Sequence, residues 1–253
     1  MALDYWRQIA GSERSPRRNY QLGLNLAFIA GAANAGGFLA VAEYTSHMTG
    51  IVSAVADNLV LGQFVMALAG LVSVLSFVLG AAVCAWLVNW GRNRALKSEY
   101  ALPLMLEAVL MLLFGMLGAR IQAHVAFYVP YTVLLLCFMM GLQNAIITKI
   151  SRAEIRTTHV TGLITDVGIE IGRWLFWRGH AVAAETEADN RQRLRLHAAL
   201  VLFFFTGALT GALGFKHFGF AASMALAAWL MLLSALPLLD DVRPRRSGGN
   251  LQP

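Results

Sequence analysis

The stretch "EYTSHMTGIVSAVADN" at residues 43–58 and the related stretch "EIRTTHVTGLITDVGIE" at residues 154–170 interrupt an otherwise apolar chain. Each follows an apolar run long enough to cross a bilayer. Each contains His, one variable residue, Thr and Gly, followed by a carboxylate one or two helical turns later. This recurring motif, together with the apolar runs on either side of it, determines the predicted fold.

Apolar residues dominate the composition. Of the 253 residues, 58% are apolar and 13% are charged, whereas an ordinary soluble domain is about 25% charged. Runs of roughly 20 apolar residues, each long enough to span a hydrocarbon core, recur between Leu22 and Leu239. The net charge of +6 comes from Lys and Arg beside these runs, which is typical of membrane orientation signals and not of nucleic-acid binding. We predict an all-α, multi-spanning membrane protein.

Six segments are predicted to cross the membrane: residues 22–42, 63–90, 101–119, 126–148, 196–215 and 218–239. Two shorter segments, residues 49–62 and 161–175, would be roughly 22 Å long as helices and could be short spans, surface helices or re-entrant half-helices. With six crossings and a cytoplasmic N-terminus, all of the 20 Lys and Arg residues except Arg120 and Lys216 lie in the cytoplasm. Eight crossings would weaken this positive-inside bias, so six crossings with both termini cytoplasmic are favoured.

Two matched blocks indicate an internal repeat. "GAANA" at residues 31–35 pairs with "GLQNA" at 141–145, and "SHMTG" at 46–50 pairs with "THVTG" at 158–162. Each half contains three predicted crossings, so the second half should be inverted in the bilayer relative to the first, as in many secondary transporters. The predicted organisation is a cytoplasmic tail (1–20), a membrane repeat (21–120), an inverted membrane repeat (125–240) and a second cytoplasmic tail (241–253).

The His-x-Thr-Gly motif is suited to starting a half-helix inside the membrane. Thr49 and Thr161 are the predicted N-cap residues, whose hydroxyl oxygen can accept a backbone hydrogen bond. The glycines that follow them, Gly50 and Gly162, allow close approach of backbone or ligand. The free N–H groups and positive dipole ends of the two helices would then face a polar cavity near the midplane and could form one site there.

Other polar residues near these helix starts are candidate site residues. His47 and His159 could carry protons at physiological pH or hold the bend by bonding the backbone. Asn34, Gln143 and Asn144 could contact a solute or join helices through hydrogen bonds.

Ionisable residues at membrane depth are costly, so they are candidates for function. Asp57 and Asp166 could couple protons or lie on the wet face of their helix. Glu107, within "LPLMLEAVLMLL", could relay protons or bond a neighbouring helix. Glu170 and Arg173 are predicted on the wet face of an interfacial helix.

Cysteine and small residues point to packing. Cys84 and Cys137 lie within apolar runs and are predicted to be buried free thiols, and no metal or cofactor site is predicted. Gly207 and Gly211 are predicted to form an internal helix-packing face.

The motifs resemble those of the YoaK-type family of uncharacterised six-helix bacterial membrane proteins. The resemblance covers nearly the whole chain and rests on "HMTG" at residues 47–50, "GLQNA" at 141–145 and "THVTGLITD" at 158–166. Ile51 stands where members similar to this one commonly have Asn. The resemblance implies a six-helix fold and a location in the bacterial inner membrane, and it brings no established activity.

The leading functional hypothesis is a small-solute transporter or channel with a midplane site, for an anionic or carboxylate-bearing solute and with protons as a candidate coupling ion. A membrane-embedded enzyme with a His/Asp metal or acid–base site, and a non-transporting membrane partner protein, are the alternatives; no catalytic residue is assigned. The expected partners are the lipid bilayer and an unidentified small solute. A homo-oligomer is compatible with the sequence, and no nucleic acid is expected.

Overall fold

A computed structural model of the chain describes residues 15–41, 44–96, 98–121, 125–150, 159–178 and 183–242. The described residues are helical apart from short turns. The helices are α1 (Pro16–Val41), α2 (Met48–Val60), α3 (Phe64–Asn93), α4 (Ala101–Ile121), α5 (Val125–Ile150), α6 (Val160–Trp177), α7 (Ala184–Phe218) and α8 (Ala222–Val242), with a 3₁₀ turn (Gly219–Ala221) between α7 and α8. Each predicted long segment corresponds to one long helix with somewhat different ends: residue 42 lies outside the described residues, residue 63 precedes α3, and the last segment begins at the final residue of α7 and the 3₁₀ turn. The two short segments correspond to α2 and α6. The predicted all-α fold class is confirmed for these residues.

Length and composition allow four described stretches to cross a membrane. They are Arg17–Leu39, Phe64–Asn93, Pro130–Ile150 and Glu185–Leu239, the last of which covers most of both α7 and α8. The α3 stretch is the most apolar of the four, and large side chains along it, including Phe64, Val65 and Leu68, are exposed on the protein surface. An exposed apolar surface of this kind is suited to lipid. The protein is therefore a polytopic membrane protein.

The helices at corresponding positions of the two halves run antiparallel to each other. Between α1 and α5, Asn19 donates a hydrogen bond to the carbonyl oxygen of Ile150 (3.3 Å), and Gln143 donates to the carbonyl oxygen of Leu26 (3.3 Å). Residue numbers therefore rise along one helix as they fall along the other.

The same relation holds between α4 and α8. The backbone N–H of Ser98, just before α4, bonds Asp241 (2.8 Å), and Ser234 contacts the sulfur of Met105 (3.9 Å). Gly115, near the other end of α4, lies against the start of α8, so these two helices are also antiparallel.

Two further pairs, α1 with α7 and α3 with α5, run parallel and approach closely through glycine. Residue numbers rise together from the contact of Ala32 with Gly211 to that of Gly36 with Phe215, and from the bond of Ser76 to Leu134 to that of Asn89 with Lys149. A Cβ at Gly207 would collide with the carbonyl oxygen of Phe28, and one at Gly31 with that of Phe204. The α3–α5 pair repeats this arrangement with Gly80 against Phe138 and Gly141 against Phe77. All four glycines end a Phe-x-x-Gly sequence, namely residues 28–31, 77–80, 138–141 and 204–207. The predicted internal packing role of Gly207 and Gly211 is confirmed, because Gly211 lies against the backbone of Ala32.

The short helices each pack against the long helix that follows them. Val55 and Ile51 of α2 lie over Gly70 of α3, and the two helices are joined by a tight turn at Gly62, whose φ of +73° suits glycine. In the second half α6 packs against α7. The two short helices therefore occupy equivalent places in the two halves.

Candidate functional site

The starts of α2 and α6 have the same local structure. His47 is the N-cap of α2 (φ −89°, ψ 63°), and His159 is the N-cap of α6 (φ −85°, ψ 57°). The helices begin at Met48 and Val160, so the prediction that Thr49 and Thr161 are the N-caps is wrong. Both threonines lie inside the first turn.

The ring of each N-cap histidine packs against the glycine at the third position of its helix. A Cβ at Gly50 would collide with the His47 ring, and one at Gly162 would collide with the His159 ring. The imidazole therefore lies over the first turn, in space that only glycine leaves open. Because neither N-cap residue makes a side-chain capping bond, the ring acts here through packing.

Asn34 holds the approach to α2. Its Oδ1 accepts a hydrogen bond from the Ser46 hydroxyl (2.8 Å) and a longer one from the Ser46 backbone N–H (3.4 Å). Ser46 directly precedes the N-cap, so Asn34 ties α1 to the start of α2. Asn144 is the equivalent residue of α5 and is half-buried, and Thr158, the equivalent of Ser46, lies outside the described residues.

The two helix starts pack against different helices. Met48 and Ile51 of α2 contact a small cluster that contains Val133 and Cys137 of α5. Leu163 of α6 belongs to the largest core cluster, together with Leu22 of α1, Leu200 of α7 and other residues. His47, Thr49, His159 and Thr161 are all exposed on the surface of the described structure. Convergence of the two starts on one midplane site stays a prediction.

Gln143 is a fully buried polar side chain between α5 and α1. Its amide nitrogen bonds the Leu26 carbonyl, and its Oε1 has no hydrogen-bond partner among the described residues. Its equivalent position in α1, Ala33, is apolar. Of the two roles predicted for Gln143, solute contact or a hydrogen bond between helices, the structure shows the second. Its Oε1 remains in the interior as an acceptor without a partner among the described residues.

Glu107 of α4 is the other fully buried candidate. It has no exposed surface, and neither carboxyl oxygen has a hydrogen-bond partner in the described part of the chain. Its neighbours Leu104 and Ala108 lie in the largest core cluster with Cys84 of α3 and Leu142 of α5. Cys84 and Cys137 are both buried, and neither forms a disulfide within the described residues, as predicted.

The two aspartates differ from Glu107 in burial. Asp57 of α2 and Asp166 of α6 are both exposed. They lie on the short helices, whereas Glu107 lies inside the bundle, so the structure does not bring the three carboxylates into one environment.

A polar cluster between α6 and α7 was missed by sequence reasoning. Glu170 was predicted on a wet helix face, but the residue is only 3% exposed, so that prediction is wrong. Its Oε1 lies 2.9 Å from Nδ1 of His197, and Asn190 donates a hydrogen bond to its backbone carbonyl (3.0 Å). Both partners come from α7, which covers this side of α6. Arg173, one turn later, is exposed as predicted.

Within the described ranges, no group of three or more His, Cys, Asp and Glu residues lies close enough to hold a metal ion. Glu170 and His197 form a pair. Among the candidate site residues, Gln143 and Glu107 are the fully buried ones with side-chain oxygens that have no partner in the described ranges; other buried side chains with such an atom are Asn19, Thr45, Ser98, Glu170 and Asn190.

Comparison with known proteins agrees with the motifs. The sequence matches the family described as "Protein of unknown function (DUF1275)" over residues 22–236. It is 25% identical over 233 residues to the UPF0700 transmembrane protein YoaK of Bacillus subtilis (strain 168), and the match covers 88% of this chain and 97% of that protein. No solved structure matches the chain. The resemblance drawn from the motifs is confirmed, and the chain belongs to the DUF1275 family.

Proposed function

We propose that the protein is a small-solute transporter without enzymatic activity, built from two inverted repeats with three crossings each. In this proposal α1, α3, α4, α5, α7 and α8 span the bacterial inner membrane, and both termini are cytoplasmic. The short helices α2 and α6 enter from opposite sides and start near the midplane.

Helix direction supports six crossings. If α2 and α6 also crossed, α1 and α5 would run in the same direction, and so would α4 and α8. Both pairs are antiparallel, through the contacts of Leu26 with Gln143 and of Ser98 with Asp241. Helix direction and the positive-inside bias of the loops together favour an arrangement in which the short helices do not cross the membrane.

The observation that carries the proposal is the matched pair of glycine contacts. The α1–α7 and α3–α5 interfaces use the same Phe-x-x-Gly packing, and each interface joins a helix of one half to a helix of the other. The antiparallel direction of equivalent helices supports an inverted relation between the halves. Transporters with inverted repeats use the near-equivalence of two such interfaces to open alternately to either side.

The helix starts suggest the class of solute. The first-turn N–H groups of α2 and α6 and the positive ends of the helix dipoles favour a carboxylate or another anion. The proposed solute site comprises His47, Thr49, Gly50, His159, Thr161 and Gly162, with Gln143 and Asn144 from α5 and with Asn34 positioning the α2 start. Proton coupling is proposed, with Asp57, Glu107 and Asp166 as the available acids.

Uptake into proteoliposomes tests the proposal. Radiolabelled acetate, lactate, succinate, citrate and glutamate form the carboxylate panel, and choline and putrescine form the cation panel. Uptake is measured with and without an imposed pH gradient. We expect uptake of at least one carboxylate and no uptake of the cations. The double variant Thr49→Val and Thr161→Val should lose this uptake, because the first turn of each short helix loses its hydroxyl.

The matched control is Thr210→Val on α7, whose hydroxyl bonds the backbone of its own helix. This variant should transport like the wild type. Uptake of a cation but of no carboxylate would show that the anion assignment is wrong. Absence of uptake across both panels, or normal uptake by a folded double variant, would contradict the proposed transporter.

A further inference from the structure

We infer that Glu107 is the proton-binding site of this protein. This inference deepens the proposed function, since it assigns proton coupling to one of three available acids. It rests on the burial of Glu107 and on the absence of a hydrogen-bond partner for either carboxyl oxygen within the described residues.

A charged carboxylate cannot be accommodated in this environment. An ion moved into an apolar interior without a partner loses many kcal/mol of hydration, and the group takes up a proton instead. Leu104 and Ala108, on either side of Glu107 in α4, are packed in the core with Cys84 and Leu142. We therefore expect Glu107 to carry a proton in this conformation.

The ligand is a proton and not a metal cation. A bound Na⁺, Ca²⁺ or Mg²⁺ needs several oxygen ligands in place of its water shell, whereas one carboxylate oxygen holds one proton. Gln143 of α5 also has a buried acceptor without a partner among the described residues. Glu107 lies about 9 residues, or ~13 Å, into the bundle from Ser98, and Gln143 about 6 residues, or ~9 Å, from Lys149, at the same end.

The helices around Glu107 offer few other titratable groups. Facing it from α3 is Cys84, which is close enough to interact with it electrostatically. From α5 the candidate is Lys149, which bonds Asn89 at the end of the bundle (3.2 Å). On α8 the acids are Asp240 and Asp241 at the C-terminal end, and Asp241 bonds Ser98. The described part of the 3₁₀ turn contributes no titratable side chain.

Proton binding at Glu107 is a simple equilibrium. The carboxylate takes one proton to become the neutral acid when the core closes around it, and returns that proton when water reaches the group. A transporter that alternates between closed and open states would move one proton per cycle in this way, and solute could be coupled to it. Asp57 and Asp166 are exposed and do not meet the condition of burial.

Infrared spectroscopy of the purified protein in liposomes tests the inference without any transported solute. The probe is the carbonyl-stretch band of a protonated carboxylic acid at neutral pH. We expect the wild type to show this band and Glu107→Gln to lose it. The matched control is Glu99→Gln, which should leave the band unchanged, because Glu99 is also buried but its carboxylate accepts a hydrogen bond from Arg92 (3.2 Å).

Exchange into D₂O separates a proton carrier from a structural acid. If Glu107 takes up and releases protons, its band should shift in D₂O within the time of the opening motion. The variant Glu107→Asp, which retains an acid, should move the band and not remove it, and it guards against misfolding of the Gln variant. A band that persists in Glu107→Gln, or one that is lost there but never shifts in D₂O, would overturn the inference. Neither result depends on whether the carboxylate panel is transported.

Discussion

At the level of single residues, the His-x-Thr-Gly motif is a packing unit. The sequence predicted the position of both motifs but assigned the capping role to Thr, on the basis of hydroxyl chemistry. The structure instead places the imidazole over the third helical residue, where glycine is required. Sequence patterns could not show this, because ring placement depends on the direction from which the chain enters the helix.

Glu170 shows a second limit at this scale. Its spacing from Asp166 and Arg173 indicated one wet face, which is correct for an isolated amphipathic helix. In the fold, α7 runs beside α6 and supplies Asn190 and His197 to that face. Whether a helix face is buried depends on a neighbouring helix that is distant in sequence, and the spacing of polar residues along the helix itself does not show that neighbour.

A glycine substitution tests the packing unit. In Gly162→Ala the new Cβ would displace the His159 ring from the first turn of α6, so we expect a loss of about 1–3 kcal/mol in the free energy of unfolding, as for overpacking. Gly168→Ala on the same helix has nothing within 4 Å of the new Cβ and should be neutral or more stable by up to about 1 kcal/mol. Equal unfolding midpoints for the two variants, measured in detergent with increasing SDS, would contradict the packing role.

At the level of elements, hydrophobic length predicted the helices well and their ends less well. The six long segments and two short segments coincide with α1–α8, because a bilayer sets the length of its spanning helices. The main difference is α7, which begins at Ala184 and not at residue 196. Its charged first turns, with the ion pair of Arg193 and Asp189 (3.0 Å), extend beyond the apolar segment. A hydropathy criterion omits such an extension.

The recurrence of Phe-x-x-Gly was a signal that sequence reasoning missed. The four occurrences lie far apart in sequence and form two equivalent interfaces only in the fold. The matched blocks at residues 31–35 and 141–145 covered only the first glycine of each half.

Single Gly→Ala substitutions measure the equivalence of these interfaces. Gly31→Ala, Gly80→Ala, Gly141→Ala and Gly207→Ala should each force two backbones apart and lower the free energy of unfolding by about 1–3 kcal/mol. Gly172→Ala is the control, because nothing lies within 4 Å of a Cβ there. Similar losses for all four would support two matched interfaces, and a loss confined to one helix pair would argue against them.

At the level of the whole molecule, helix direction determines which side of the membrane each connection faces. The antiparallel relation of α1 to α5 and of α4 to α8 supports the proposed topology, in which α2 and α6 add no crossing. With a cytoplasmic N-terminus, as proposed, the connection at Leu61 would face outward and Asn93 would face the cytoplasm, whereas eight crossings would reverse both positions. Lys216 would face outward in either arrangement.

Labelling of single cysteines separates the two arrangements. In a background where Cys84 and Cys137, both buried, are replaced by Ala, a membrane-impermeant maleimide is applied to intact spheroplasts. We expect Leu61→Cys and Lys216→Cys to be labelled, and Asn93→Cys to be labelled only after permeabilisation, since all three positions are exposed in the structure. Labelling of Asn93→Cys from outside, with protection of Leu61→Cys, would mean that the short helices cross. The two halves would then share one orientation, which removes the inverted symmetry on which alternating access depends.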